Sequence, residues 1–84
     1  MNSRQRKMLE LVFTDPVSGT IEWDSIESLL ISVGYRLIEG AGSRVRFERD
    51  GVMATFHRPH PAKEAKRYQV KDAREFLIPI GVRP

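Results

Sequence analysis

The stretch of sequence that decides the fold is residues 42–71, GSRVRFERDGVMATFHRPHPAKEAKRYQVK. It contains two runs of alternating apolar and polar residues, 43–49 and 52–57, on either side of the dipeptide Asp50-Gly51. This dipeptide favours a two-residue type I′ turn, which requires positive φ at both central positions. The stretch therefore predicts a β-hairpin, followed by a loop rich in histidine, proline and lysine.

A two-residue turn also fixes which residues face each other across the hairpin, because side chains alternate between the two faces of a strand. The predicted pairs on the apolar face are Val45 with Phe56, Phe47 with Ala54, and Arg49 with Val52. Those on the other face are Arg44 with His57, Arg46 with Thr55, and Glu48 with Met53. We expect the first face to lie in the core and the second, which carries two arginines and a histidine, to face solvent.

The rest of the chain predicts helices on both sides of this hairpin. Residues 4–13 and 69–78 have apolar residues at helical spacing, and a further helix starts near Asp24 and ends at Gly34. Asp24 and Glu27 have the spacing of a capping box. Residues 35–39 predict the first strand of the sheet. The expected fold is α+β in two layers: a three-stranded antiparallel sheet with helices on one face, whose α-β-β-β-α core has the order of double-stranded-RNA-binding domains, plus a short N-terminal helix.

Composition limits the classes of function. The chain has 84 residues and no cysteine, which predicts one compact domain without disulfides or a cysteine zinc site. We divide it into an N-terminal helix with its connecting loop, residues 1–22, and a main domain, residues 23–84. No apolar run approaches the roughly 20 residues of a membrane span, so we expect a cytoplasmic protein without a membrane partner. The sequence is compatible with a monomer and with a homo-oligomer.

The positive charge is concentrated in the second half of the chain. Residues 1–42 carry a net charge of −2 and residues 43–84 a net charge of +5. Basic clustering of this kind is typical of proteins that bind nucleic acid, although a solvated surface can have the same composition. The candidate contacts to RNA are Arg44, Arg46, Arg58, His60, Lys63, Lys66, Arg67 and Lys71.

His57 is the candidate catalytic residue, with Arg44 opposite it. Histidine can take up and release a proton near neutral pH, and RNA carries its own nucleophile in the 2′-OH. Two histidines three residues apart lack a third metal ligand, so we expect no metal and no other cofactor. Three aromatic residues that could stack on bases, Trp23, Phe47 and Phe56, lie on apolar stripes, so we assign them to the core.

The order of these motifs resembles the HicA toxins of bacterial toxin–antitoxin systems. The resemblance rests on Val33-Gly34-Tyr35, on Gly42-Ser43 before a basic strand, and on His60-Pro61-x-Lys63-Glu64 before the last helix, and it covers roughly residues 23–83. It implies the double-stranded-RNA-binding-like fold, cleavage of mRNA without a metal, and neutralisation by a HicB-like antitoxin.

In one position the sequence departs from that family. The catalytic histidine of HicA toxins follows Gly-Ser, and Arg44 stands there in this chain. Arginine stays protonated at all relevant pH values and cannot act as a general base. The leading interpretation is an endoribonuclease toxin in which His57 takes this part and Arg44 binds phosphate. The alternatives are an RNA-binding module without catalysis and an interaction protein that binds an acidic partner.

Overall fold

The computed structural model describes residues 1–84 and contains three α-helices and one three-stranded sheet. The elements in chain order are α1 (Ser3–Val12), α2 (Trp23–Ser32), β1 (Arg36–Glu39), β2 (Arg44–Arg49), β3 (Val52–His57), α3 (Arg67–Leu77) and a 3₁₀ helix (Ile78–Ile80). The α+β fold class predicted from the sequence is confirmed. The last helix begins two residues earlier than predicted, at Arg67.

The hairpin has the predicted turn and the predicted register. Asp50 and Gly51 both have positive φ, 49° and 83°, as a type I′ turn requires. All six predicted pairs between β2 and β3 are present, including Arg44 with His57 and Val45 with Phe56. The pattern of alternation and the turn dipeptide were therefore sufficient to place every side chain of the hairpin on its correct face.

The sheet is antiparallel throughout, with β2 between β1 and β3. The chain enters β1 directly from α2 through Gly34, whose φ of 100° suits glycine far better than other residues. Pairing of Arg36 with Glu48 and of Glu39 with Val45 sets β1 against β2. The two outer strands are thus β1 and β3, and β3 leads into the basic loop.

The core lies between one face of the sheet and the helices. Val45, Phe47, Ala54 and Phe56 are buried on that face. The ring centroid of Phe56 lies 5.0 Å from that of Trp23, 5.9 Å from that of Phe47 and 6.1 Å from that of Phe76. The assignment of Trp23, Phe47 and Phe56 to the core is confirmed, and these rings are not available for stacking on bases.

The N-terminal helix α1 packs on the same core through Leu9 and Val12. Its C-terminal end is held by Arg74 of α3, whose guanidinium donates to the carbonyl oxygens of Val12 and Thr14 and pairs with Asp15. A cation near the last carbonyls of a helix is favourable because those groups carry partial negative charge. Arg74 therefore joins the first and last helices of the chain.

The capping box predicted for α2 is absent, and that prediction was wrong. Glu22 is the N-cap residue of α2, the helix begins at Trp23, and no side chain caps it. Glu27 instead accepts hydrogen bonds from the indole nitrogen of Trp23 and from Arg58. The carboxylate is thus engaged by two side chains, those of Trp23 and Arg58, and caps no backbone N–H of its helix.

The longest helix, α3, has 11 residues, and none of the helices combines the length and apolar character needed to cross a bilayer.

Candidate nucleic-acid interface

The face of the sheet opposite the core is not covered by any helix. We call it the open face and define it by the outward side chains of β2 and β3, which are Arg44, Arg46, Glu48, Met53, Thr55 and His57. Four of these, Arg44, Arg46, Thr55 and His57, are exposed and lie toward the end of the hairpin away from the turn. The charge of this end is positive, because Glu48 lies nearer the turn.

Arg44 and His57 are direct cross-strand neighbours at that end. Cβ atoms of residues directly opposite each other on an antiparallel pair lie about 4.5–5.5 Å apart. Neither side chain forms a hydrogen bond or an ion pair within the protein. Both are therefore free to meet a ligand, and the pair is close enough to contact one phosphate group together.

Arg58, the residue after His57, has a different role. Its guanidinium donates to both carboxylate oxygens of Glu27, at 2.7 and 3.3 Å, and to both of Glu39, at 2.8 and 2.9 Å. The hydrogen bonds that Arg58 donates to these two carboxylates, chiefly to Glu39, raise the pKa of Arg58, and the same contact lowers the pKa of Glu39. Arg58 joins α2 and β1 to the end of β3, and its charge is already balanced, which argues against a contact to RNA.

The loop after Arg58 is held against the segment that precedes α2. The backbone N–H of Trp23 donates to the carbonyl of Lys63 at 2.9 Å, and that of Ala65 donates to the carbonyl of Ile21 at 2.8 Å. His60 and Lys63 are exposed on this loop. They border a groove of about 260 Å³ that also contains Glu22 and Asp24. The structure thus places His60 in a mixed-charge groove, apart from the Arg44–His57 pair.

A buried amide connects this region to the last helix. Gln69 is the only buried polar residue of the chain, with 2% of its surface exposed. Its side-chain nitrogen donates to the carbonyl oxygen of His57 at 2.7 Å, and its side-chain oxygen accepts from the backbone N–H of Lys66 at 2.9 Å. Gln69 therefore holds the first turn of α3 against the strand end that carries His57.

The first two turns of α3 carry three further candidate cations, Lys66, Arg67 and Lys71, all exposed. No acidic residue lies in the first turn of this helix. Lys66 and Lys71 form no ion pair, whereas Arg67 donates from Nε to the carbonyl of Val17 at 3.3 Å. Gln69 thus anchors this basic turn to the backbone of His57, at the end of β3.

The comparison with protein families bears directly on this arrangement. The sequence model of a family described as "HicA toxin of bacterial toxin-antitoxin" matches residues 23–76. The chain belongs to the HicA toxin family. The matched segment runs from the first residue of α2 almost to the end of α3, so it includes the whole sheet, the loop and the basic turn of the last helix. No curated protein and no solved structure matches the chain.

Family membership assigns the general role. The protein is a toxin of a toxin–antitoxin system, and a cognate antitoxin partner is implied. α1 precedes the matched segment and packs on α2 and α3, with Leu9 and Val12 buried in the core.

Sequence reasoning missed four residues of the HicA region that the structure brings into view: Glu27, Glu39, Gln69 and Tyr68. The first three act through contacts with the end of β3 that no local pattern reveals. Tyr68 had a signal in the sequence, because it lies between cations and off the apolar stripe of Val70, Ala73 and Leu77. It is an aromatic side chain at the surface, with 57% of it exposed.

Proposed function

We propose that this HicA-family toxin binds mRNA on the positive end of the open face and cleaves it without a metal ion. The observation that supports the proposal most strongly is the exposed cross-strand pair of Arg44 and His57. It brings a fixed cation and a group able to transfer protons to one place. In this proposal the toxin acts in the cytoplasm, and a HicB-like antitoxin is its partner.

The reaction we propose is a transesterification within the RNA. His57 takes the proton of a 2′-OH, the 2′ oxygen forms a bond to phosphorus, and the bond between phosphorus and the 5′ oxygen breaks. The leaving oxygen takes up a proton from solvent, to which the open face is exposed. The products are a 2′,3′-cyclic phosphate and a 5′-hydroxyl end. Arg44 would stabilise the negative charge on the phosphate oxygens, which a guanidinium does well because of its planar set of donors.

The other candidate contacts would hold the RNA backbone. Arg46 lies next to the pair on the open face, and Lys66, Arg67 and Lys71 are exposed at the start of α3. Lys63 and His60 are exposed on the loop between β3 and α3. Contacts of this kind position a nucleic acid and do not read its sequence. We leave Arg58 out of the RNA-contacting set, because two carboxylates already occupy its donors.

The test is incubation of the purified protein with RNA in the presence of EDTA, followed by analysis of the product ends. We expect cleavage to survive EDTA and to leave 2′,3′-cyclic phosphates. General acid–base catalysis typically contributes about 10²–10⁴-fold to rate, so His57→Gln should lower the cleavage rate by that order while RNA binding is retained. Arg44→Ala should slow cleavage and weaken binding together.

His60→Gln is the matched control, because His60 is the other histidine and is also exposed, but lies in the groove beside α2. We expect a far smaller loss of cleavage rate than for His57→Gln, because His60 is proposed to contact the RNA backbone and not to transfer a proton. Equal rates for the parent and His57→Gln would show that His57 is not the base. Cleavage that requires a divalent cation would contradict the metal-free mechanism.

A second candidate function, RNA binding without cleavage, is favoured by one specific observation. The resemblance to HicA motifs aligns Arg44 with the family's catalytic histidine, and arginine cannot replace that histidine as a base. A parent protein that binds RNA but yields no cleavage product would support this candidate over the first.

A further inference from the structure

Tyr68 is the most exposed aromatic residue of the chain and the only one classed as exposed. The other six are Phe13, Trp23, Tyr35, Phe47, Phe56 and Phe76, and all of these are buried or half-buried. Tyr68, in the first turn of α3, has 57% of its surface accessible to solvent. Its hydroxyl makes no hydrogen bond within the protein. The ring lies outside the hydrophobic core and outside the apolar side chains that pack against it.

The surroundings of Tyr68 are cationic. Lys66 and Arg67 precede it, and Lys71 follows at the i+3 spacing that makes two residues neighbours on a helix surface. Acidic groups also flank it, with Glu64 before the helix and the half-buried Asp72 at i+4, but neither forms an ion pair with these cations. An exposed ring is thus combined with unpaired positive charges on one turn of helix.

This turn is also fixed relative to the proposed reaction site. The amide of Gln69, the next residue, is bonded to the carbonyl oxygen of His57 at 2.7 Å. Since Gln69 is buried, this contact is protected from water. The first turn of α3 is therefore anchored to the end of β3, and RNA bound at Arg44 and His57 would pass around this strand end to reach Tyr68.

From these observations we propose that Tyr68 is a stacking platform for an unpaired base of the bound RNA. The inference rests on the proposed function and adds to it a residue that binds the base and a preference for single-stranded RNA. Base–aromatic stacking requires a base that is not already stacked within a duplex. The fold alone resembles domains that bind duplex RNA by shape. Tyr68 predicts a preference for single-stranded RNA and the fold alone a preference for duplex RNA, so an experiment can separate the two.

The experiment measures binding of fluorescently labelled 2′-O-methyl RNA, which lacks the nucleophilic hydroxyl and stays intact. The probes are a single strand, the same strand with bases removed, and a duplex of equal length. Stacking of one base on an aromatic ring typically changes affinity by roughly 5- to 150-fold. We expect Tyr68→Ala to weaken binding of the single strand by a factor in this range, and Tyr68→Phe to retain the parental affinity.

The decisive comparison uses the strand without bases. The parent should bind it more weakly than the intact strand, whereas Tyr68→Ala should bind both equally, because the group that recognises the base is gone. Ile31→Ala is the matched control, since Ile31 is an exposed apolar residue on α2, with 47% of its surface accessible. We expect it to bind all three probes as the parent does.

The outcomes separate the two proposals. If the parent binds RNA and Tyr68→Ala binds it equally well, the stacking inference is wrong and the proposed function stands. If the parent binds the duplex more tightly than the single strand, the inference is also wrong. If the parent binds no probe even at low salt, the proposed function fails and the inference fails with it.

Discussion

Phe56 is the residue whose replacement should affect the fold most directly. It lies on β3 immediately before His57, with 3% of its surface exposed. Its ring contacts those of Trp23 on α2, Phe47 on β2 and Phe76 on α3. One side chain thus connects the sheet to two helices, and its removal would leave a cavity between them.

The expected loss of stability follows from these contacts. Phe→Ala substitutions in a core typically cost about 3–5 kcal/mol, because apolar surface is exposed and a cavity remains. Each tilted or edge-to-face aromatic pair contributes about 0.5–1.5 kcal/mol beyond the area that it buries. Three such pairs place Phe56→Ala toward the upper end of that range. A domain of this size has a total stability of roughly 4–13 kcal/mol, so the variant should lose at least about a third of it.

Urea unfolding, followed by circular dichroism and by the fluorescence of Trp23, measures the effect. Trp23 is the only tryptophan and is buried against Phe56, so its emission reports on this part of the core. We expect the midpoint of Phe56→Ala to fall steeply. The midpoint of Phe56→Leu, which keeps most of the side-chain volume, should lie between those of the parent and the alanine variant. Phe56→Leu also gives a complete transition if the alanine variant does not fold.

Met53→Ala is the control on the same strand, because Met53 lies on the open face and is 50% exposed. Its cost should stay within about 0.5 kcal/mol, as is usual for surface substitutions. A loss of less than about 1 kcal/mol for Phe56→Ala would refute the reasoning, since it would mean that Phe56 is not at the centre of the packing.

Two further predictions concern charge. The affinity for single-stranded RNA should fall with salt by a log–log slope of about −0.7 for each phosphate contact, so Lys66→Ala with Lys71→Ala should reduce the slope by about 1.4. Arg6→Ala with Lys7→Ala, which removes the same charge from exposed positions on α1, should leave the slope unchanged, and equal slopes for the two double variants would contradict the assigned surface. For Glu39, whose pKa is lowered by Arg58 from an ordinary 4.5, the ion pair stabilises the fold above that pH and the contribution is lost as pH falls through the lowered pKa. The parent should therefore lose more stability than Glu39→Gln on acidification below pH 4.5 in thermal unfolding, and parallel pH profiles would show that the pair does not stabilise the fold.

The hairpin could be predicted from the sequence because its signals are local. Alternation over six residues and a turn dipeptide with positive φ lie within one continuous segment, and together they fix register and facing. The apolar stripes of α2 and α3 are local in the same sense. The structural features that such local patterns fix, including the pairing of Arg44 with His57, could therefore be predicted from the sequence alone.

The contacts of Arg58 could not be predicted in this way. Its partners Glu27 and Glu39 lie 31 and 19 residues away in the chain, on elements that meet only after the domain folds. In the sequence, a cation in a Pro-rich loop looks the same whether it faces solvent or two carboxylates. The capping box failed in part for the same reason, because Glu27 binds Arg58 at long range, and in part because the helix begins at Trp23, before Asp24.

The register of the hairpin also limits which position of β3 could carry a catalytic base, given that Arg44 cannot act as one. Side chains alternate along β3, so a histidine at position 56 would face the core and one at position 58 would replace the arginine that pairs with Glu27 and Glu39. Among the residues of β3 that face outward, only His57 lies directly opposite Arg44, and the next, Thr55, lies opposite Arg46. If a histidine and an arginine change places between positions 44 and 57, both side chains still reach one phosphate, because cross-strand neighbours share a face and lie close together. His57 is therefore the one position on this strand from which a base could reach a phosphate bound by Arg44, and His57→Gln is the most direct test of the catalytic role proposed for it.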